Sequence, residues 1–145
     1  MYSPEIVDKS IIGAVRVVNK CSGTIDYIKD DKLVFRTHPV ERDRLVFQLG
    51  SADPSLALQA ALTVQEDVAA FDLKCGGPKR FSLQGGMGAA LLKSPDTLLS
   101  ILDNLLANTQ RPVSAKIRLF LAEENSAFTF SKTQKLVDRI VGSGV

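Results

Sequence analysis

Residues 45–73 have the sequence LVFQLGSADPSLALQAALTVQEDVAAFDL, which decides the fold. The apolar run Leu45 to Leu49 is typical of a buried strand, and Asp53 followed by Pro54 is typical of a helix start. Small and apolar residues then recur at helical spacing before a second apolar run, Val68 to Leu73. This order predicts a strand–helix–strand unit with two parallel strands, the unit from which α/β proteins are built.

The same order continues towards the C-terminus. Ser94, Pro95 and Asp96 are typical of a second helix start, and Pro112 to Leu119 predicts another strand. A last helix is predicted from apolar residues and terminal glycines: Leu136, Val137, Ile140, Val141, Gly142 and Gly144. About four βα units are obtained when a hairpin near the N-terminus is counted as one strand position. The class is α/β, either a small doubly wound sheet or a partial (β/α)₈ TIM barrel, and the glycines that turn a helix towards a further strand favour the partial barrel.

Two elements are predicted before this unit. A Ser-Pro-Glu sequence at residues 3–5 is typical of a helix start, and apolar residues follow at helical spacing: Val7, Ile11, Ala14, Val15 and Val18. Two β-rich runs, Thr24 to Ile28 and Leu33 to Thr37, flank a polar tetrapeptide at 29–32 and predict a β-hairpin. We expect one domain over residues 1–145, with this first helix packed on the sheet.

The composition is that of an ordinary folded domain. The chain has 145 residues, 45% hydrophobic and 23% charged, with a net charge of +2. No apolar run approaches the ~20 residues that a membrane-spanning helix needs, so no membrane partner is expected. Cys21 and Cys75 are too few for a disulfide framework and no signal segment is evident, so we expect a cytoplasmic location. The single histidine, His38, supplies neither a metal site nor a catalytic triad, so no metal is expected.

An unusual connection, CGGPKRFSLQGGMGAALLK at residues 75–93, follows the second strand of the unit. Connections of this length are uncommon unless they are functional, and α/β proteins place their sites at the carboxyl ends of strands. The glycine spacing is neither that of a P-loop nor that of a dinucleotide-binding fingerprint. Four basic residues and no acidic residue occur over residues 74–93, so phosphate contact and a solvated basic loop both remain open: Lys74, Lys79, Arg80 and Lys93.

The segment FDLKCGGPKRFSLQGGMGAALLK resembles the signature of the flavin-dependent tRNA-dihydrouridine synthases, in which a strand ends in D-x-N-x-G-C-P. In the eukaryotic type-2 branch, which acts on the tRNA D-loop, the motif continues as K-x-F-S-x-x-G-G-M-G-A-A-L-L, and the match has no gap from Asp72 to Leu92. Further segments resemble that branch in the same order: GTIDYI, LVFRT, ERDRLVFQLGSADPSLALQAA and RPVSAKIRL. The resemblance implies an FMN-containing (β/α)₈ barrel that reduces uridine in tRNA to 5,6-dihydrouridine with electrons from NADPH. It also allows mitochondrial or nuclear pools beside the cytoplasm.

The resemblance further implies roles for individual residues. Gln48 would hydrogen-bond the pyrimidine edge of the flavin, and Lys116 would neutralise the negative charge near N1 and O2 of the reduced ring. From the residues alone, a satisfied buried amide explains Gln48 equally well, and an ion pair explains Lys116 equally well. Lys79 and Arg80 are the candidates for contact with tRNA.

Two departures fall on the functional positions of the family. Alignment from Asp72 places Lys74 where the family has Asn, and Gly77 where it has the Cys that protonates the substrate. Glycine cannot donate a proton, and loss of a general acid typically lowers a rate by ~10²–10⁴. We interpret Cys75, two positions away, as a small buried or half-buried residue, with a displaced proton donor as the alternative.

The resemblance also indicates that the chain begins after the first barrel strand and ends before the C-terminal half of the barrel. An open barrel exposes two sheet edges, so association through those edges is expected. Three hypotheses follow: a segment of a tRNA-dihydrouridine synthase, a relative that binds tRNA without reducing it, and a half that functions only with a missing partner. The family match favours the first, Gly77 and Lys74 favour the second, and the exposed edges favour the third.

Overall fold

A computed structural model of the chain describes residues 1–77, 80–119 and 126–145. In chain order its strands are β1 (Ile6–Val7), β2 (Val15–Val18), β3 (Ile25–Lys29), β4 (Lys32–Thr37), β5 (Val46–Gly50), β6 (Ala70–Lys74) and β7 (Val113–Lys116). Its helices are α1 (Asp8–Ile11), α2 (Pro54–Val64), α3 (Arg80–Gln84), α4 (Pro95–Asn108) and α5 (Ser126–Gly142). Short 3₁₀ helices cover Pro39–Glu41, Gln65–Asp67 and Gly88–Lys93.

A four-stranded parallel sheet in the order β1-β5-β6-β7 forms the centre of the fold. Helix α2 connects β5 to β6, and α3 and α4 lie between β6 and β7, as the strand–helix order predicts. The Asp53 carboxylate caps α2 by accepting hydrogen bonds from the backbone N–H groups of Ser55 and Leu56, at 2.8 and 2.9 Å. The predicted class, an α/β fold that forms part of a (β/α)₈ barrel, is confirmed.

Side chains alternate between the two faces of this sheet. One face is apolar and belongs to the same buried core as residues of α2 and α4; its strand residues include Phe47, Leu49, Phe71 and Leu73. The other face is polar, because the strand register aligns Gln48 with Asp72 and Asp72 with Ser114. Polar side chains are uncommon at the centre of an α/β sheet, where most residues are apolar. A polar face there therefore indicates a candidate site.

The predicted hairpin is confirmed, but it lies outside the parallel sheet. Strands β3 and β4 pair antiparallel, and β2 adds a third strand to them. The turn residues Asp30 and Asp31 have φ of 49° and 58°, the left-handed conformation that a tight hairpin turn needs. Counting the hairpin as one of four βα positions is therefore wrong, and β1 supplies the fourth parallel strand instead.

The predicted N-terminal helix is also wrong. Only the single turn α1 is helical, whereas Ile6–Val7 and Val15–Val18 are strands. Gly13 has φ of +80°, which ends the helical path, and the β-branched residues on both sides of it favour extended backbone. The apolar residues matched a helical period, but pairing of β1 with β5 and of β2 with β3 decides the conformation.

The structure differs from the prediction at the end of the last strand and within the glycine-rich segment. Strand β7 ends at Lys116 rather than Leu119, and α3 and a 3₁₀ helix occupy part of the predicted loop. Ser94 precedes α4 as predicted, but its side chain makes no capping hydrogen bond. Its carbonyl accepts from the backbone N–H of Leu98 at 3.2 Å, so backbone hydrogen bonding and Pro95 start the helix.

A buried carboxylate joins the two sheets. Asp67, just before β6, accepts two hydrogen bonds from Arg16 of β2, at 2.7 and 2.9 Å, and one from the hydroxyl of Tyr27 in β3, at 2.5 Å. Burial raises the pKa of Asp67, but the hydrogen bonds from Arg16 and Tyr27 outweigh it and hold the pKa below the ordinary value. Nearby, the ring of Phe35 packs edge-on against Phe47, with 5.1 Å between centroids.

Candidate functional site

A cavity of about 590 Å³ opens on the polar face of the parallel sheet. Its lining comes from three strands and the N-terminal segment: Tyr2, Ser3, Gln48, Asp72, Ser114, Ala115 and Lys116. Pockets for small ligands typically measure roughly 300–1,000 Å³, so this cavity can hold a cofactor ring or a nucleobase. The two residues expected to contact flavin, Gln48 and Lys116, therefore line one cavity.

A hydrogen-bonded network fixes the floor of the cavity. Gln48 Nε2 donates to Asp72 Oδ2 at 2.9 Å, and the hydroxyl of Ser114 donates to Asp72 Oδ1 at 2.8 Å. Asp72 is 2% exposed, so these bonds replace the water that a buried carboxylate loses. The hydroxyl oxygen of Ser3 accepts from the backbone N–H of Gln48 at 2.9 Å. Asp72 thus fixes the orientation of the Gln48 amide, and no residue in the described part of the chain donates a hydrogen bond to the amide oxygen.

Two lysines stand side by side at the carboxyl ends of neighbouring strands. The β6–β7 register aligns Lys74 with Lys116. Lys74 Nζ donates to Glu5 Oε2 at 2.8 Å, and both side chains are largely buried. Lys116 is exposed and forms no ion pair with any residue in the part of the chain that the structure describes. Of the two, Lys116 is the ammonium available to an anionic ligand.

Glu5, the partner of Lys74, belongs to the sequence that predicts a helix start, but in the structure it lies beside the strand ends. Its Oε1 atom is buried, and no described residue donates a hydrogen bond to it. A Cβ atom at Gly50 would lie 2.9 Å from Oε1, so the glycine leaves room for the carboxylate. Glu5 directly precedes β1, and its carboxylate neutralises the ammonium group of Lys74.

Gly77 follows the end of β6 and packs against a second glycine, Gly88. Its carbonyl accepts from the backbone N–H of Ala89 at 3.0 Å. Gly88 has φ of +61°, and a Cβ atom there would lie 2.7 Å from the Gly77 carbonyl oxygen, so a side chain at 88 is excluded. Among the described residues, a Cβ atom at Gly77 meets only Lys74 Cε, at 3.4 Å, so these residues leave space for a side chain at position 77.

Cys75 is a core residue. It is fully buried, and its thiol donates to the carbonyl of Leu73 at 3.4 Å. Burial, and to a smaller extent the charge of Asp72, raises the pKa of the Cys75 thiol to about 12. The structure keeps this thiol protonated and away from solvent.

The expected RNA contacts are described only in part. Lys79 lies outside the described residues, and Arg80 is exposed at the start of α3. Among the residues that the structure describes, no group of three or more His, Cys, Asp or Glu is arranged to hold a metal ion. No helix in the same part of the chain is long and apolar enough to cross a membrane.

Ser3, Asp72 and Ser114 also line the cavity, although the resemblance assigns them no role. A signal for two of them was present, because Gln48, Asp72 and Ser114 each interrupt an apolar strand at an alternate position. Alternation of this kind indicates a strand with one polar face. The signal was hidden because buried parallel strands are expected to be apolar on both faces.

The parallel sheet, its flanking helices and the polar cavity near the strand ends are those expected of part of an α/β barrel with a candidate ligand site. Comparison with known families agrees, since the family model "Dihydrouridine synthase (Dus)" matches residues 17–141. The chain belongs to the dihydrouridine synthase family.

Similar proteins come from fungi and bacteria. The chain is 47% identical over 154 aligned residues to the "tRNA-dihydrouridine(20) synthase [NAD(P)+]" of Schizosaccharomyces pombe, covering all of this chain and 31% of the relative. It is 43% identical over 157 residues to the protein of the same name from Saccharomyces cerevisiae, covering all of this chain and 39% of that relative. A "tRNA-dihydrouridine(20/20a) synthase" of Xanthomonas axonopodis pv. citri is 33% identical over 73% of this chain and 31% of its own length. The chain thus spans less than two-fifths of these curated relatives.

Proposed function

We propose that this chain forms part of the flavin-binding barrel of a tRNA-dihydrouridine synthase. The reaction is reduction of uridine in the tRNA D-loop to 5,6-dihydrouridine, with FMN as cofactor and NADPH as electron donor. The observation that carries the proposal is the convergence of Gln48 and Lys116 on one cavity at the polar face of the sheet. The names of the two yeast relatives support the tRNA substrate and a nicotinamide donor.

The cavity residues fit the pyrimidine edge of a flavin. That edge carries carbonyl oxygens and a ring nitrogen that accept hydrogen bonds, and one N–H that donates. The Gln48 amide can both donate and accept, and the Lys116 ammonium donates only. When bound and reduced, FMN supplies the two electrons that saturate the uracil 5,6 double bond. Asp72 holds the Gln48 amide in place, and Lys116 supplies positive charge to the reduced, more negative ring.

The proton that completes the reduction has no donor at position 77, where the family has Cys. This observation favours a second candidate function, a relative that binds tRNA without reducing uridine. Gly77→Cys combined with Lys74→Asn, in a chain long enough to complete the barrel, distinguishes the two. A gain of dihydrouridine of ~10²-fold or more supports an enzyme limited by these two positions, and no gain in a folded double variant that retains FMN supports the binding relative.

Retention of FMN by the purified chain tests the proposal directly. The chain is mixed with excess FMN, desalted and passed over a size-exclusion column with detection of flavin absorbance. We expect FMN to elute with the chain, and Lys116→Met to lower retention about tenfold because one charge-assisted contact is lost. Lys32→Met, an exposed lysine of β4, is the matched control and should retain FMN fully. Elution of all FMN as free cofactor from the unaltered chain contradicts the proposal.

The same column tests the expected association. Strands β1 and β7 are the edges of the parallel sheet over the described residues. Association through these edges predicts an elution volume that shifts with protein concentration.

We also propose a cytoplasmic location, supported by two cysteines that are both free.

A further inference from the structure

A basic groove lies between the start of α4 and α5, apart from the cavity on the sheet. Its volume is about 520 Å³. Four cationic side chains line it, from the 3₁₀ helix before α4 and from α5: Lys93, Lys132, Lys135 and Arg139. Leu92 and Leu136 are buried and form an apolar floor between the charges. Long basic side chains over apolar residues leave their charged ends at the rim of the groove.

The charges at this rim are only partly neutralised. Arg139 Nη2 donates to Asp96 Oδ1 at 2.6 Å, and the Asp96 side chain is 91% exposed. Within the described residues, neither Lys93 nor Lys135 forms an ion pair. The net charge of the whole chain is only +2, because acidic residues elsewhere balance most of its basic residues. The groove is therefore more positive than the chain as a whole. Such a local field attracts an extended polyanion.

One continuous segment connects the groove to the end of β6. The 3₁₀ helix Gly88–Lys93 ends at the groove, and its second residue, Ala89, donates its backbone N–H to the carbonyl of Gly77. A six-residue 3₁₀ helix is about 12 Å long. A polyanion in the groove therefore passes close to the strand end where the family signature lies.

We propose that this groove binds the phosphodiester backbone of RNA beside the nucleotide that enters the strand-end site. The lysines and Arg139 contact phosphate oxygens, and the apolar floor contacts a ribose. The inference rests on the proposed function for the choice of RNA over an acidic peptide, since both are polyanions.

Binding of an unmodified tRNA transcript to the 145-residue chain tests the inference. The groove variant carries Lys93→Glu and Lys135→Glu, and the control carries Lys20→Glu and Lys32→Glu, two exposed lysines far along the chain from the groove. Both variants change the net charge equally, and circular dichroism and thermal unfolding verify that each is folded. Affinity is measured at several salt concentrations.

We expect the groove variant to bind tRNA at least about tenfold more weakly than the control at low salt. The slope of log affinity against log salt should fall by about 1.5–2, as expected for two lost phosphate contacts. Equal loss in the two variants, or no binding of tRNA to the unaltered chain, overturns the inference. Competition by polyglutamate as strong as that by tRNA also overturns it and indicates an acidic peptide as the ligand.

FMN retention in the same preparations separates this inference from the proposed function. If the chain retains FMN but the groove variant binds tRNA like the control, the groove assignment alone fails. If the unaltered chain retains no FMN, and the groove variant binds tRNA more weakly than the control does, the flavin assignment alone fails.

Discussion

The side chain of Lys74 lies beside the space that a side chain at position 77 would occupy. A Cβ atom built on Gly77 would be 3.4 Å from Lys74 Cε, and Lys74 Nζ is held by Glu5 at 2.8 Å. The two departures from the family signature are therefore neighbours in space as well as in sequence. Restoring a side chain at 77 without changing Lys74 would place it next to an ammonium group.

This contact predicts the acidity of a thiol at position 77. In a Cys21→Ser background, Gly77→Cys should have a thiol pKa below the ordinary value of about 8.5, because Lys74 stabilises the thiolate, with Glu5 sharing part of that charge. Alkylation by iodoacetamide at pH 7 should be several-fold faster than in the same variant carrying Lys74→Met. A thiolate is a poor proton donor, so Gly77→Cys should restore less reduction alone than together with Lys74→Asn. Equal alkylation rates with and without the Lys74→Met change would contradict the contact.

The Gln48–Asp72 hydrogen bond predicts a stability effect inside the cavity. Gln48→Leu removes the donor to Asp72 Oδ2 and leaves a buried carboxylate with one fewer partner. The free energy of unfolding should fall by about 1–3 kcal/mol, measured by urea denaturation at pH 7. Lys116→Met, which changes an exposed side chain of the same cavity, should alter it by less than about 0.5 kcal/mol. A Gln48→Leu variant as stable as the unaltered chain would show that the network does not hold the amide.

The strand–helix units could be predicted because each carries its own local signals. Asp53 and Pro54 start α2 in the structure as in the sequence, and the hairpin follows from polar turn residues between β-rich runs. The N-terminal segment could not be predicted in this way. Its apolar residues fit a helical period, whereas its strands form through pairing with residues far along the chain.

The resemblance could predict which residues share the cavity, but local sequence could not predict the residues that tertiary pairing brings beside it. Gln48 and Lys116 lie on one cavity as the resemblance implies, although contact with flavin stays a prediction. Glu5 reaches this face only because β1 pairs with β5 and Gly50 leaves space, and neither fact is visible in the local sequence. Helix α3 and the 3₁₀ helix after it could not be predicted, because the glycine content of this segment is typical of loops.

Burial predicts different reactivities for the two cysteines. Cys21 is exposed, and Cys75 is buried with a pKa raised to about 12, so at pH 8 only Cys21 should react with a thiol reagent in the native chain. Mass spectrometry should show one label on the native chain and two after denaturation in urea. The Cys21→Ser variant is the control and should take no label while folded. Rapid labelling of Cys75, suppressed by uracil or tRNA, would instead indicate a thiol that reaches the site.

The ion pair between the sheets predicts how stability depends on pH. Since the pKa of Asp67 is lowered in the folded chain, the unfolded chain binds more protons below the ordinary value of 3.8, and stability falls as the pH drops through that range. Asp67→Asn should lower the free energy of unfolding by about 2 kcal/mol at pH 7, because hydrogen bonds from Arg16 and Tyr27 to a charged acceptor are weakened. In urea denaturation at pH 2 to 7, the difference between the variant and the unaltered chain should begin to shrink near pH 3.8, where Asp67 of the unfolded chain takes up its proton. The two should converge only below the lowered pKa, where Asp67 of the folded chain is protonated as well. Asp96→Asn, which removes an exposed carboxylate paired with Arg139, is the control and should change stability by less than about 1 kcal/mol. A constant difference between Asp67→Asn and the unaltered chain across the whole pH range would show that Asp67 acts through its shape and not through its charge.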